Sequence, residues 1–438
     1  MKRDGDQLGT EVIRYLNYLR PHFRPQIQFL FIALLVFIAS CGTSPDEVTV
    51  NEGWETDLQW MADSLPGLHY NLFMYVPEDS LLNRLCRLEQ NLDNLSDIET
   101  VMELTGILAS MRCSHTGIAF WNYGDWKAYP ISVMWLNEGL YVTAIDAEYL
   151  NLVGSRLIGY GGYPALEAAA AMGEMFPATN DVVRRTRAEN FMMMAYPMEA
   201  LGFGDVDSLV SFTFLCATGD TTIIQYKAVD QSTVNMETFH NCESVTLPIW
   251  LGSDDFYWYS YLPERKMLYC AYNTCALMDD YHMDDYAEDL RELIDSEHVE
   301  AVVVDLRRNS GGNSMIAAPL ISWLREISEN GDIQLYLIIG RWTYSSGILN
   351  AIEISEIAGV TVLGENTGGA PNHLGEVKTT QLPWSGLSVS YPTKYFQFVT
   401  GEGTTMRPDV LIPLDAGMLF GGENRILDAI DGLSASYE

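Results

Sequence analysis

Four separate segments hold the side chains that could do chemistry. Thr343-Tyr344-Ser345-Ser346-Gly347 puts a hydroxyl nucleophile where the apolar run Leu335 to Ile339 gives way to a second apolar pattern. About one βαβ unit earlier, Val302-Val303-Val304-Asp305-Leu306 runs through Arg307-Arg308-Asn309-Ser310 into Gly311-Gly312. That is a strand ending in a loop with little side chain to keep its amides from an anion. Ser114-His115, far upstream, offers an imidazole, and Gly401-Glu402-Gly403 offers a carboxylate. A serine, a base, an acid to orient the base and a backbone cradle for an oxyanion are what acyl transfer requires.

Each of these residues also has a plainer explanation. A serine before a helix is most often an N-cap, although the amide of Ser346 and the helix dipole would point where an oxyanion forms. Gly311-Gly312 can be a tight turn. As a phosphate cradle it lacks the Lys-Ser/Thr of a P-loop and the GxGxxG spacing. His115 is one of seven histidines, and a lone histidine is usually structural. Glu402 by itself is an exposed loop acid.

The elements that must position these groups can be read from periodicity. Residues from about Trp54 to Met111 are helical, with Ser96 and Glu99 forming a capping box. Ile98, Val101, Leu104, Ile107, Leu108 and Met111 line one face of the last helix, which delivers Cys113-Ser114-His115-Thr116-Gly117 and then a strand-like Ile118 to Trp121. From Trp126 to Asp230, short strand-like runs alternate with turns. The cadence is that of a degenerate PDZ module without an evident carboxylate-binding loop, and a generic β insert fits it nearly as well. From about Thr246 the pattern becomes α/β: a helix around Tyr286 to Ile294, a buried strand Ala301 to Leu306, a helix Met315 to Ile327, a strand Leu335 to Ile339, a helix Ile348 to Ile357 and a strand Val360 to Leu363. Such alternation implies parallel crossovers with functional groups at strand C-termini. The expected divisions are 1–40, a leader; 41–53, a linker; 54–121, helical; 122–245, β-rich; and 246–438, the α/β domain.

Composition narrows the possible partners. With 25 Lys+Arg against 59 Asp+Glu the net charge is −34, which repels phosphate backbones and excludes nucleic acid. The same charge also serves plain solubility. Basic residues Arg14, Arg20 and Arg24 precede the apolar run Phe29 to Ile38 and then Ile38-Ala39-Ser40-Cys41. The run is too short to span a bilayer but fits a signal-peptide core. The small residues ending in Cys41 resemble a bacterial lipobox, so the expectation is cleavage before Cys41, lipidation of its thiol, and export to the cell envelope with a membrane anchor. Six cysteines remain (Cys86, Cys113, Cys216, Cys242, Cys270, Cys275), without zinc-ligand spacing or a CxxC pair.

Taken together, the motifs resemble those of the C-terminal-processing, or tail-specific, serine peptidases and their tricorn-core branch. The family signature Asp-Leu-Arg-x-Asn-x-Gly-Gly matches residues 305–312. Its Thr-x-Ser nucleophile segment matches Thr343-Tyr344-Ser345, and its Gly-Glu-x-Thr-x-Gly element matches Gly364-Glu365-Asn366-Thr367-Gly368-Gly369. The branch with a Ser/Lys dyad places lysine just after that element, where this chain has Ala370-Pro371. The tricorn-like branch uses a Ser-His-Ser-Glu tetrad, matched by Ser345, His115, Ser114 and Glu402. The resemblance implies a crotonase/ClpP-like α/β catalytic domain, with Ser345 attacking and His115 serving as base and then acid. Ser114 and Glu402 would orient His115, and the amides of Gly311, Gly312 and Ser346 would hold the oxyanion. It also implies a peptide or protein substrate and no metal or cofactor. Two departures stand out: Ile348 occupies a position where many members carry an acid, and the common Gly-Val before Pro-Asp is missing ahead of Pro408-Asp409. A weakly active or inactive binding protein for peptides or hydrophobic ligands on the same fold is the alternative, and an esterase or amidase would use the same residues.

Overall fold

The computed structural model describes residues 50–242, 245–401 and 403–434. Cys41 with its leader, and Glu402, lie outside the described residues.

The N-terminal region consists of helices Val50–Asp63, Glu78–Glu89 and Asp97–Ala109. Asp97–Ala109 starts where expected. The Ser96 N–H donates to Glu99 Oε2 at 2.7 Å and the Glu99 N–H to Ser96 Oγ at 3.3 Å, a reciprocal capping box. Val101, Leu104, Ile107 and Leu108 are buried along its inner face. Arg112, at φ 58°, turns the chain out of the helix. The two-residue strand Gly117–Ile118 follows, and residues Phe120–Asn122 form a 3-10 turn where the pattern suggested more strand.

The middle of the chain is less purely β than its cadence suggested. Strands Ile131–Leu136, Gly139–Ile145, Arg156–Tyr160, Leu209–Leu215 and Thr221–Lys227 do form an antiparallel sheet, but helices Ala165–Met175, Asp181–Phe191 and Ala195–Ala200 are threaded between them. Ala165–Met175 is alanine-rich and Asp181–Phe191 is capped by Asn180, whose Oδ1 accepts from the Val183 N–H at 2.9 Å. The helices cover the sheet's apolar face, with Ala168, Met172, Ala188 and Phe191 packed among Tyr160, Phe212 and Phe214 in one core.

The C-terminal half is a six-stranded sheet ordered Tyr257–Leu262, Met267–Tyr272, Ala301–Asp305, Gln334–Ile339, Val360–Gly364, Val410–Leu411. The first pair is antiparallel and every later pair parallel. Every residue of Ala301–Asp305 is buried, as expected where helices cover both faces of a parallel sheet. Val302, Val304, Leu337 and Ile339 meet helices Met283–Ser296, Ala318–Asn330 and Ser346–Ser355. On the opposite face Val303, Tyr336 and Ile338 meet Leu419, Ile426 and Ile430, together with Met134 and Leu136 of the middle region.

A hairpin, His373–Gln381 with Ser388–Phe396, leaves this sheet and pairs with Gly117–Ile118, Gly117 opposite Ser390 and Ile118 opposite Val389. This pairing carries the end of the N-terminal region to the C-terminal half.

Candidate active site

The residues of the Asp-Leu-Arg-x-Asn-x-Gly-Gly signature mostly hold the chain in shape. Asp305 is buried and accepts from the Arg307 amide at 2.9 Å and the Arg307 guanidinium at 2.7–3.0 Å. Asn309, with no exposed surface, donates from Nδ2 to the Tyr272 carbonyl at 3.0 Å, and its own carbonyl accepts from the Tyr344 N–H at 2.9 Å. The Thr343 hydroxyl donates to the Leu306 carbonyl at 2.8 Å and accepts from the Gly340 N–H at 3.0 Å. Two neighbouring strand ends are thereby stitched together, bringing Gly311-Gly312 beside Ser345. A Cβ on Gly311, at φ 109°, would lie 2.8 Å from the Ser345 Cβ and 2.9 Å from the Ser346 nitrogen. One on Gly312, at φ 131°, would strike the Cys275 carbonyl oxygen at 2.3 Å. Only glycine allows this backbone contact.

Ser345 occupies the N-cap position, but its hydroxyl does not cap the helix. It precedes helix Ser346–Ser355 but makes no capping hydrogen bond and sits at φ 50°, ψ −125°. That conformation is costly for a residue with a Cβ and is characteristic of functional turns. Ser346 opens the helix, so its amide has no intrahelical acceptor, and its hydroxyl donates to the Gly312 carbonyl at 2.6 Å. One expectation needs correcting. The Gly311 N–H already donates to Asn309 Oδ1 at 3.0 Å, so Gly311 shapes the loop and has no amide to give an oxyanion. The amides of Gly312, which is exposed, and of Ser346 have no hydrogen-bond acceptor among the described residues.

Ser114 and His115 reach the same place. Tyr344 Oη lies 2.5 Å from Ser114 Oγ and 3.2 Å from His115 Nδ1, and its ring stacks on the imidazole at 4.8 Å between centroids. Ser114 Oγ is 2.6 Å from Thr179 Oγ1. His115 Nε2 is buried and has no hydrogen-bond partner, and no hydrogen bond joins it to Ser345 Oγ. Burial, with the His373 ring and the Arg187 guanidinium adding to it, lowers the His115 pKa from 6.5 to about 3. The imidazole is therefore neutral and able to accept a proton. Arg187 Nε is likewise buried without a partner.

Sequence reasoning passed over Tyr344, Thr179, Arg187 and His373. Tyr344 was the unassigned middle residue of the nucleophile motif. His373 lies three residues after Ala370; its Nδ1 pairs with the Ala370 carbonyl at 2.7 Å and its ring stacks on His115 at 5.6 Å. Ala370, where a dyad lysine would stand, is buried. Ile348, one of the two departures noted in the sequence, is fully buried in helix Ser346–Ser355. Described residues on either side of position 402 are held by side-chain amides. Asn372 Nδ2 donates to the carbonyls of Val399 and Gly401 at 2.9 and 2.8 Å, and Asn180 Nδ2 to that of Thr404 at 2.6 Å.

No family model matches the sequence, and no curated protein matches it either. Solved structures do. Mature CPAF complexed with lactacystin is 12% identical with a TM-score of 0.63, covering 88% of this chain and 98% of that one. Mature CPAF alone is 14% identical with a TM-score of 0.62, covering 88% and 97%. The photosystem II D1 C-terminal processing protease is also similar, at 14% identity and a TM-score of 0.38. The chain thus has the α/β fold of CPAF over nearly the whole of that protein.

Proposed function

We propose that this protein is a serine peptidase of the C-terminal-processing type, acting on peptides or proteins through Ser345. The observation that carries the reading is the strained Ser345 turn, backed by the Gly311-Gly312 loop, with two unpartnered amides and the His115 imidazole stacked on the adjacent Tyr344. Ser345 Oγ attacks the scissile carbonyl carbon while its proton passes to His115 Nε2. The amides of Gly312 and Ser346 hold the oxyanion. His115 then gives the proton to the leaving amine as the C–N bond breaks, and water releases the acyl group by the same steps in reverse order. The missing Ser345–His115 hydrogen bond is of a kind that often tightens only with substrate bound. We assign Ser114 and Glu402 to orienting His115, the sheet with its parallel crossovers to a ClpP-like catalytic domain, and the middle region to a PDZ-like module. Export and anchoring through Cys41 complete the reading; they predict incorporation of an alkynyl fatty acid that Cys41→Ser abolishes.

Fluorophosphonate labelling of the full chain tests the activity. Wild type is expected to label, and both Ser345→Ala and His115→Ala to lose labelling while keeping the wild-type melting curve. A folded wild type that does not label would point to a binding protein.

A further inference from the structure

We infer that Tyr344, the residue just before the nucleophile, is a positioning residue that fixes the tautomer of His115, presenting Nε2 as the bare, proton-accepting nitrogen. The inference rests on the peptidase reading for its consequence but not for its geometry. A phenol has one proton to give. Tyr344 Oη lies 2.5 Å from Ser114 Oγ and 3.2 Å from His115 Nδ1, and the shorter contact marks where that proton goes. The phenol oxygen then offers Nδ1 only a lone pair, so Nδ1 carries the N–H and donates it. Ser114 Oγ, having accepted from Tyr344, also lies 2.6 Å from Thr179 Oγ1, which accepts from the Ser114 N–H at 3.3 Å. With the phenol proton directed at Ser114 Oγ, the His115 Nδ1–H donates to Tyr344 Oη. The opposite tautomer would leave both ring nitrogens unpaired, a bare Nδ1 against the phenol's lone pair and an N–H on the partnerless Nε2, whereas Nδ1–H leaves only Nε2 unsatisfied.

Among the described residues no carboxylate reaches His115 Nδ1. At Nδ1 the neutral phenol orients the ring and chooses its tautomer, beside the roles proposed above for Ser114 and Glu402. Because Tyr344 is joined by one peptide bond to Ser345, the residue that sets the base moves with the nucleophile. Burial keeps the phenol above its usual range and hence protonated.

The test uses the full chain with ring-15N histidine and Tyr344→Phe, which keeps the ring stack and deletes the hydroxyl. In wild type at neutral pH, the His115 signals should show a protonated Nδ1 and an unprotonated Nε2. In Tyr344→Phe the Nε2–H form should gain population, and kcat/KM on a fluorogenic peptide should fall about 100-fold or more through kcat, with KM little changed. Ser114→Ala, which removes the acceptor of the phenol proton, should turn that proton toward Nδ1 and shift the tautomer the same way. A wild type that carries Nε2–H overturns the inference, as does a tautomer unchanged in both variants. Failure of wild type to react with fluorophosphonate would defeat the peptidase reading alone, because the tautomer is read without turnover.

Discussion

His115 is held where protonation is opposed from three sides: burial foremost, then the His373 ring, then the Arg187 guanidinium, together bringing it down to about 3. A base of that kind is neutral across the physiological range, and activity is lost only as pH falls through its folded-state value. The acid limb of kcat/KM is accordingly expected well below pH 6.5. Arg187→Gln removes one cause of the depression, so the acid limb should move to higher pH. An unmoved limb in a pH–rate profile of that variant would show that Arg187 does not act on His115. At the same scale, the departure at Ile348 is explained by its complete burial, where an ionised acid would need a partner.

The glycines and short polar side chains between elements do as much as the reactive groups. Gly311→Ala introduces a Cβ 2.8 Å from that of Ser345 at a φ of 109°. It should cost about 1–3 kcal/mol in denaturant unfolding and abolish turnover, because the Ser345 turn must shift to make room. Thr343→Val removes the bond that ties the Ser345 loop to the neighbouring strand end at Leu306 and the bond that closes the loop on Gly340. It leaves the Gly340 amide unpaired, while the Leu306 carbonyl keeps the Asn309 N–H. About 1–3 kcal/mol is expected there as well. The capping box belongs to stability rather than chemistry: Ser96→Ala should lower stability by about 0.5–2 kcal/mol with kcat unchanged, as a melt and an assay on one preparation would show.

Over the whole molecule, the helix Asp181–Phe191 joins the parts. Its cap Asn180 donates to Gly368 at 3.0 Å and to Thr404, Arg187 lies beside the imidazole, and Glu189 meets Arg341 at 2.8 Å. Arg341 follows the strand that leads to Ser345, is nearly buried, and also pairs with Glu365 at 2.8 Å and with the Trp135 carbonyl. Arg341→Met should destabilise by about 3–5 kcal/mol by stranding two carboxylates. The lower end is expected because burial already lifts Glu189 to about 7, so it can take up a proton. Acid should act on the molecule as a whole too. Burial lowers His69 and His240 to about 4 and His115 to about 3, and lowers His373 too. At these four rings the unfolded chain binds more protons than the folded one between about pH 6.5 and pH 3, so their contribution to stability is lost as pH falls through that window, with Glu189 acting in the opposite sense. Urea unfolding at stepped pH would measure it, and a flat profile would contradict the burial of these rings.

Periodicity and glycine spacing alone determined the helix Asp97–Ala109 with its capping box, the parallel strands of the C-terminal half and the meeting of Gly311-Gly312 with Ser345. Those features rest on local geometry and on burial patterns that repeat along a few residues. The helices Ala165–Met175 and Asp181–Phe191 escaped the strand-and-turn reading although their own compositions favour helix, because the cadence around them is that of strands. What only the tertiary structure decided is which polar groups meet. Tyr344 with Ser114, His115 with His373, and Arg187 with both come from segments far apart in sequence. The hairpin pairing with Gly117–Ile118 and the packing of Asp181–Phe191 bring them together, and neither leaves a mark in the spacing of the residues themselves. The oxyanion amides divide in the same way. A Gly-Gly pair promises flexible backbone, but the Gly311 N–H is taken by Asn309 only once the loop has closed on its own side chain.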